Sequence, residues 1–244
     1  MPRQVADLIN GEVYHICCRA VGDSVIFKNN DDYYRGIFSI YEFNDVFVKT
    51  IRDRRRSRLA EKKKENMPGL RHLASLDKRD KLVEVLTFCF MSNHMHLLVK
   101  QLKENGISKF IKKVCGGYAN YFNKKYGRKG HLFNQFKAIH IENDNQLRNI
   151  VTYIHCNPIS LIESGWKEKG IKDFKKVINF LKNDYRWTSL WDYEDKQNFH
   201  SVIEKDLLLR VIGAETMKKG LENWISYKSE VSRAIIDYEN LFLE

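Results

Sequence analysis

The segment at positions 81–100, KLVEVLTFCFMSNHMHLLVK, constrains the fold of this chain more than any other. Two apolar runs of strand length flank a Ser-Asn pair, which predicts two antiparallel strands joined by a tight turn. The second run contains His94 and His96, with the apolar Met95 between them. Because side chains alternate along a strand, both imidazoles are expected on one face and Met95 on the other. Two like-facing imidazoles suit a shared metal ion, or they are simply polar residues on a half-exposed strand.

The segments around this hairpin alternate in the order of an α+β domain. An expected strand at 11–21 precedes a helix that starts near Asp31, with Asn30 or Asp31 as its cap. After the hairpin come a helix at 107–127 that ends at Gly127, a strand at 131–141 and a helix at 143–157. Strand, helix, strand, strand, helix, strand is the ferredoxin-like order. We therefore predict a ferredoxin-like (RRM-like) antiparallel sheet with helices on one face, which leaves the other face for ligands.

The charge balance indicates a polyanionic partner. The chain has 42 Lys and Arg against 31 Asp and Glu, a net charge of +11, which suits nucleic acid. Much of the excess lies in IRDRRRSRLAEKKKE at 51–65, within an expected basic insertion at 49–78. This stretch is either a phosphate-binding arm or a solvated helix or loop. The candidate DNA contacts, here and around the fourth strand, are Arg52, Arg54, Arg55, Arg56, Lys124, Lys125, Arg128, Lys129 and Lys137.

Several classes of protein are excluded by the sequence pattern. No apolar run approaches the roughly 18 residues of a membrane-spanning helix, and MPRQVADLINGEVYHI lacks the apolar centre of a signal peptide. The five cysteines are odd in number and scattered, which indicates reduced thiols rather than a disulfide framework or a zinc site. We expect a cytoplasmic monomer or homodimer that associates with the nucleoid when it binds DNA.

The predicted helix NDNQLRNIVTYIHCN carries the second group of candidate residues. Its apolar stripe, which includes Ile150 and Ile154, is expected to pack onto the sheet. Tyr153 and Asn157 are four positions apart, so they share one helix face beside that stripe. There the pair can face a metal ion on the neighbouring strand, or Tyr153 is a core-edge aromatic and Asn157 a C-terminal cap. His155 lies about 200° round the helix from Tyr153 and is not expected in the site.

Five blocks of the sequence resemble the single-tyrosine HUH transposases, and specifically their REP-associated tyrosine transposase branch. The blocks are YHI with the following Arg19, MSNHMHLLV, YANYFNKKYGRKGHLFNQFKA, YIHCNP and YRWTSLWDY. They occur in the order of the family, whereas the basic insertion and the segment from 199 to 244 have no close counterpart. The resemblance implies an HUH domain at 1–195 and a helical C-terminal extension at 196–244.

The same resemblance implies a metal-dependent endonuclease and strand transferase that acts on single-stranded or hairpin DNA. In that family two histidines bind a divalent ion, Mg or Mn, and a helix tyrosine attacks the phosphate to give a 5′-phosphotyrosine link. The matching positions are His94, His96 and Tyr153. Asn157 matches the amide ligand one helical turn beyond the tyrosine.

Two other functions remain open at this point. A non-catalytic nucleic-acid-binding module would have the same fold, although it has no need for all four site residues. A metal-dependent RNA nuclease would form no covalent adduct and would tolerate the loss of Tyr153. Of the other candidates, Tyr118 and Tyr121 are expected in packing and His15 as a satisfied strand histidine. Trp187 either stacks on bases or folds back onto the core.

Overall fold

The computed structural model describes residues 8–47 and 79–213, together with positions 53, 56 and 59. Most of the predicted basic insertion, including Arg52, Arg54 and Arg55, therefore lies outside the described residues. Arg56 is helical and exposed. The predicted C-terminal extension is described as far as residue 213. Within these ranges, no helix has the length and apolar character needed to cross a membrane.

Four strands form one antiparallel sheet in the order β2-β3-β1-β4. They are β1 (Val13–Arg19), β2 (Val83–Phe90), β3 (His94–Gln101) and β4 (Lys137–Ile141). Helix α1 (Asn30–Glu42) lies between β1 and β2 in the sequence, and helix α2 (Gly106–Tyr126) lies between β3 and β4. This order and connectivity are ferredoxin-like, so the predicted α+β fold class is confirmed.

The hairpin and the end of α2 follow the local sequence. The Met91 N–H donates to the His94 carbonyl at 2.8 Å, which closes the predicted turn between β2 and β3. Helix α2 ends at the predicted Gly127, whose φ of 63° lies in the left-handed region that glycine tolerates. Gly117 in the middle of α2 has a packing role, since a Cβ there would overlap the Phe43 ring, whereas a Cβ on Gly116 would meet nothing within 4 Å.

Two boundaries differ from the prediction. The cap of α1 is Asn29, one residue before the expected pair, because its backbone is extended and its side chain accepts from the Asp32 N–H. The fourth strand begins at Lys137 rather than near 131. The preceding HLFNQF lacks the alternation of a half-buried strand, and there Phe133 makes only an isolated bridge with Ala20.

The first two helices pack on the face of the sheet that carries Phe90. A Cβ added to Gly36 of α1 would lie 2.5 Å from the Phe90 ring, so this glycine permits close approach. Helix α2 covers the same side through Tyr118, whose ring centre is 4.9 Å from that of Phe27. Phe27 in turn contacts Phe90. The expected layer of helices is therefore present on this face.

Helix α3 (Asp144–Cys156) covers the opposite face, which corrects the expectation of helices on one face only. His96 lies on that side, because Phe90 pairs with Met95 and side chains alternate along β3. The ring of Tyr153 in α3 contacts His96 there. The physical reason is that β2 and β3 are buried along almost their whole length, so both faces need apolar cover.

After α3 the chain forms a 3-10 turn (Asn157–Leu161) and four short α-helices within the described ranges. These are α4 (Trp166–Lys169), α5 (Phe174–Asn179), α6 (Leu190–Tyr193) and α7 (Asp206–Ile212). A π-helical turn at Phe180–Asp184 extends α5. Helix α7 packs against α3, where the Arg148 guanidinium donates to the Ile212 carbonyl at 3.3 Å.

The YRWTSLWDY segment folds back onto the core, which decides between the two alternatives for Trp187. Thr188 bridges Cys89, and the Phe90 N–H donates to the Trp187 carbonyl at 2.9 Å. The Trp187 ring is buried and stacks on Tyr33 with ring centres 4.6 Å apart. This segment therefore covers the outer edge of β2, an edge that would otherwise expose unpaired backbone groups.

Candidate active site

The two histidines of β3 share one face, as their spacing predicts. The ring centres of His94 and His96 are 4.8 Å apart, and the two ring planes are perpendicular. Both side chains point toward α3, into the layer between that helix and the sheet. The prediction that the two imidazoles project together is confirmed by this geometry.

Each imidazole uses its Nδ1 atom within the fold. The His94 Nδ1 lies 2.6 Å from Oδ1 of Asn93, and because an amide oxygen can only accept, the proton lies on His94 Nδ1. The His96 Nδ1 lies 3.0 Å from Nε2 of His15. In both rings, therefore, these contacts involve Nδ1 and not Nε2.

Tyr153 packs against this histidine pair. Its ring centre lies 5.5 Å from that of His96 and 5.8 Å from that of His15, both in edge-on geometry. Tyr153 is 3% exposed and Asn157 is 4% exposed. The sequence placed both residues beside the apolar stripe of α3, whereas the structure buries them as deeply as the stripe itself.

Asn157 lies at the end of α3 and begins the 3-10 turn that Pro158 stiffens. Its amide Nδ2 donates to the Tyr153 carbonyl at 3.2 Å. This bond satisfies one of the carbonyls left open at a helix C-terminus. It also fixes which amide atom is which, so the Oδ1 atom is the one that remains for a cation. The capping and ligand interpretations of Asn157 are therefore compatible.

Two cations lie close to the histidine pair. Arg19 is opposite His94 in the β1–β3 register, and its guanidinium also pairs with Asp23 at 3.0 Å. Lys167 of α4 places its Nζ atom 5.1 Å from the centre of the Tyr153 ring. No local pattern points to Lys167, because it lies on a four-residue helix that only tertiary packing brings to the site.

Burial and these charges keep both imidazoles neutral. Burial, and after it the charges of Arg19 and Lys167, lower the pKa of His94 from 6.5 to about 3. Burial together with His94, His15 and Lys167 holds the pKa of His96 well below 6.5. A neutral imidazole has the lone pair that a metal ligand needs.

The donor set fits a hard or borderline divalent ion such as Mg or Mn. Two imidazole nitrogens and one amide oxygen would come from His94, His96 and Asn157, and they leave coordination positions for phosphate oxygens. Within the described residues, no group of three or more His, Cys, Asp or Glu side chains is arranged to hold a metal ion.

The other aromatic and histidine candidates have structural contacts. His155 is buried and bonded to Ser189 Oγ at 3.0 Å and to Thr87 Oγ1 at 3.3 Å, on the side of α3 away from Tyr153. Tyr118 donates to the Ile26 carbonyl at 2.6 Å. These contacts agree with the packing roles expected for Tyr118 and with the exclusion of His155.

The lysines and the arginine proposed to contact DNA around the fourth strand differ in their exposure and in their contacts within the fold. Lys124, Lys129 and Lys137 are exposed. Lys125 forms an ion pair with the buried Asp32 at 2.8 Å, and hydrogen bonding to Asp32 raises the pKa of its ammonium. Arg128 hydrogen-bonds Asn123 at 3.3 Å. Their contact with DNA stays a prediction.

The segment that carries these residues is similar to a known family of proteins. Residues 39–157 match the family described as "Transposase IS200 like". The matched segment contains both histidines of β3, and Tyr153 and Asn157 at the end of α3. This segment is therefore similar to the IS200-like transposases, and the transposase resemblance seen in the motifs is confirmed.

One solved structure with a similar fold is that of a REP-associated tyrosine transposase bound to a REP hairpin. The two chains are 15% identical, and the alignment covers 68% of this chain and 76% of that chain with a TM-score of 0.44. The search of curated proteins finds no match.

Proposed function

We propose that this chain is a metal-dependent single-stranded DNA endonuclease and strand transferase that acts near hairpin or repeat sequences. The observation that supports it most is the packing of Tyr153 against His96, with ring centres 5.5 Å apart. That contact puts a potential nucleophile beside two neutral imidazoles that can hold a divalent ion. A transposase that cuts DNA needs both components in one place.

Tyr153 would act as the nucleophile. Its Oη forms a bond to the scissile phosphorus, the bond from phosphorus to the 3′-oxygen breaks, and the phenol proton is released while the 3′-oxygen takes up a proton. The product is a 5′-phosphotyrosine and a free 3′-hydroxyl. Because the ester retains the energy of the broken bond, a 3′-hydroxyl can later attack it and reseal DNA without ATP.

His94, His96 and Asn157 would hold the divalent ion. When bound, such an ion withdraws charge from the phosphate and stabilises the leaving oxygen. The His94 and His96 imidazoles offer their Nε2 atoms, since each Nδ1 is already engaged. Arg19 and Lys167 would add positive charge on the phosphate side of the site, where negative charge develops during attack.

Access to the nucleophile would require local movement. Tyr153 is 3% exposed, and the Lys167 ammonium lies over its ring. A phosphate can reach the phenol only if the residues that cover it shift. A new contact between Lys167 and the phosphate would then replace the contact between Lys167 and the Tyr153 ring, and it would compensate for part of the free energy lost in that shift.

The decisive experiment is an assay for a covalent protein–DNA adduct. The full-length protein is incubated with Mn²⁺ and a labelled single-stranded hairpin DNA, and products are separated under denaturing conditions. We expect a protein–DNA adduct that Tyr153→Phe abolishes while hairpin affinity changes little, because only one oxygen is removed. Tyr121→Phe is the matched control and should retain the adduct.

Other outcomes would select the alternative functions. Hairpin binding without cleavage in any divalent ion would indicate a non-catalytic binding module. Cleavage of RNA without an adduct, and unchanged in Tyr153→Phe, would indicate a metal-dependent nuclease. An adduct that persists in Tyr153→Phe would move the nucleophile to another tyrosine.

A further inference from the structure

His15 is a buried histidine on β1 that contacts both parts of the candidate active site. Its side chain is 0% exposed. Its Nε2 lies 3.0 Å from Nδ1 of His96, with the two rings stacked at 5.1 Å. Its ring also meets the edge of Tyr153 at 5.8 Å between centres. The expected role of a satisfied strand histidine accounts for the burial of His15, but it does not explain why its partners are His96 and Tyr153.

The hydrogen bond between His15 and His96 has two forms with opposite consequences. If His96 donates from Nδ1 to Nε2 of His15, the His96 Nε2 has a lone pair that can bind a cation. If His15 donates from Nε2 instead, the His96 proton lies on Nε2 and blocks that position. The hydrogen bond on one ring nitrogen sets which tautomer the other presents.

The fold keeps this contact rigid. His15 lies on β1 and His96 on β3, which are adjacent inner strands of the sheet. His96 pairs directly with Cys17 in the register, and His15 is two residues further along the same face. Backbone hydrogen bonds on both sides of each strand therefore hold the two rings at a constant separation.

We propose that His15 is a positioning residue that accepts a hydrogen bond from His96 Nδ1 and thereby presents the His96 Nε2 lone pair to the divalent ion. This inference rests on the proposed metal site. His15 itself does not touch the ion or the phosphate. Removal of such a supporting partner typically costs about 10- to 100-fold in metal affinity.

Two substitutions separate positioning from packing. His15→Gln places an amide oxygen near the former Nε2 position and retains an acceptor, whereas His15→Leu fills the space without one. Calorimetric titration of the full-length protein with Mn²⁺ should show affinity weakened about 10- to 100-fold in His15→Leu. In His15→Gln it should remain within a few-fold of the wild type. Thermal unfolding without metal measures the structural effect of each change.

The tautomer gives a readout that needs no metal. Nitrogen-15 NMR of the histidine rings in the metal-free protein should show the His96 proton on Nδ1 in the wild type and in His15→Gln. In His15→Leu we expect both tautomers to be populated. A His96 proton on Nε2 in the wild type would overturn the proposal, and so would an unchanged Mn²⁺ affinity in His15→Leu.

Failure of the wider function would look different. If the wild type binds no Mn²⁺ and forms no adduct, the proposed enzyme is wrong, yet the NMR experiment still measures which ring donates. If the wild type binds Mn²⁺ and both His15 variants lose affinity in proportion to their loss of thermal stability, His15 is only a packing residue.

Discussion

The Lys167 ammonium lies 5.1 Å from the centre of the Tyr153 ring, on a short helix that the chain forms only ten residues after α3. A cation over an aromatic face is attracted to the ring and also favours the ionised form of a phenol. Free tyrosine has a pKa of about 10, so at neutral pH any attack as phenolate depends on such stabilisation. Lys167 is therefore placed to influence the proposed nucleophile, Tyr153.

Lys167→Met should slow adduct formation at saturating DNA by about 100-fold, because a charge aimed at the developing anion is lost while the aliphatic stem is retained. Single-turnover kinetics on the hairpin substrate measure this. The control is Lys169→Met on the same helix, which is exposed and should react at the wild-type rate. Equal rates in both variants would limit Lys167 to packing.

His94→Ala should reduce Mn²⁺-dependent adduct formation by at least about 100-fold, since one of two imidazole ligands is removed. The folded state should tolerate the change because the native imidazole is neutral. His140→Ala on β4 is the matched control, where the ring bonds Glu12 at 3.0 Å. Titration of activity against Mn²⁺ for both variants tests the prediction, and a His94→Ala curve that overlaps the wild type would remove His94 from the site.

The metal-free protein should lose stability as the pH falls from about 6.5 toward 3. Burial lowers the pKa of His15 and of His155 to about 3, as it does for His94. The unfolded chain takes up protons at these positions below pH 6.5 and the folded chain does not, so their stabilising effect is present above 6.5 and is lost on acidification. Each such group contributes about 1.4 kcal/mol per pH unit.

Urea unfolding in EDTA between pH 6.5 and 5 measures that slope. We expect the uptake on unfolding to rise to about three or more protons at pH 5, because each of these histidines is only half protonated in the unfolded chain at pH 6.5. His155→Gln should reduce the uptake by one proton. The hydrogen-bond partners of His155 are the hydroxyls of Ser189 and Thr87 rather than His15 or His94, so its loss should leave their titration unchanged. A free energy of unfolding that stays constant over this range would contradict the buried neutral histidines.

The arginines of the basic stretch should contribute to DNA affinity through phosphates. Replacement of Arg52, Arg54, Arg55, Arg56 and Arg58 by glutamine should lower the log–log salt slope by about 0.7 per lost contact on single strands. We expect a change equal to about one or two contacts. Arg56, the one of these arginines that lies within the described residues, is exposed and helical. Cleavage at saturating DNA should survive, and an unchanged slope would make the stretch a solvated insertion.

Short-range patterns predicted the elements and the histidine pair because the relevant periodicities are local. The period of two along β3 requires His94 and His96 to share a face whatever surrounds them. Gly127 ends α2 because few other residues adopt its backbone conformation. The position of α3 could not be predicted in the same way. Only the near-complete apolar character of β2 and β3 signals a second covered face.

Contacts between distant residues account for what the sequence missed. Lys125 is a predicted DNA contact, yet Asp32, 93 positions earlier, accepts a hydrogen bond from its ammonium. The sequence predicts His15 as a satisfied strand histidine, and only the β1–β3 register brings its ring beside His96. Neither relationship follows from local spacing, because each depends on which strands and helices become neighbours.

Because the histidine pair lies on an inner strand, the two parts of the candidate site should differ in mobility. Strand β3 is hydrogen-bonded to β2 on one side and to β1 on the other, whereas Tyr153 lies on a helix in an outer layer. Amide hydrogen exchange should therefore be slowest around Leu97 and faster beyond Asn157, where local opening costs less than unfolding of the sheet. Entry of DNA would then perturb protection in the segment that bears Lys167 and leave β3 unchanged.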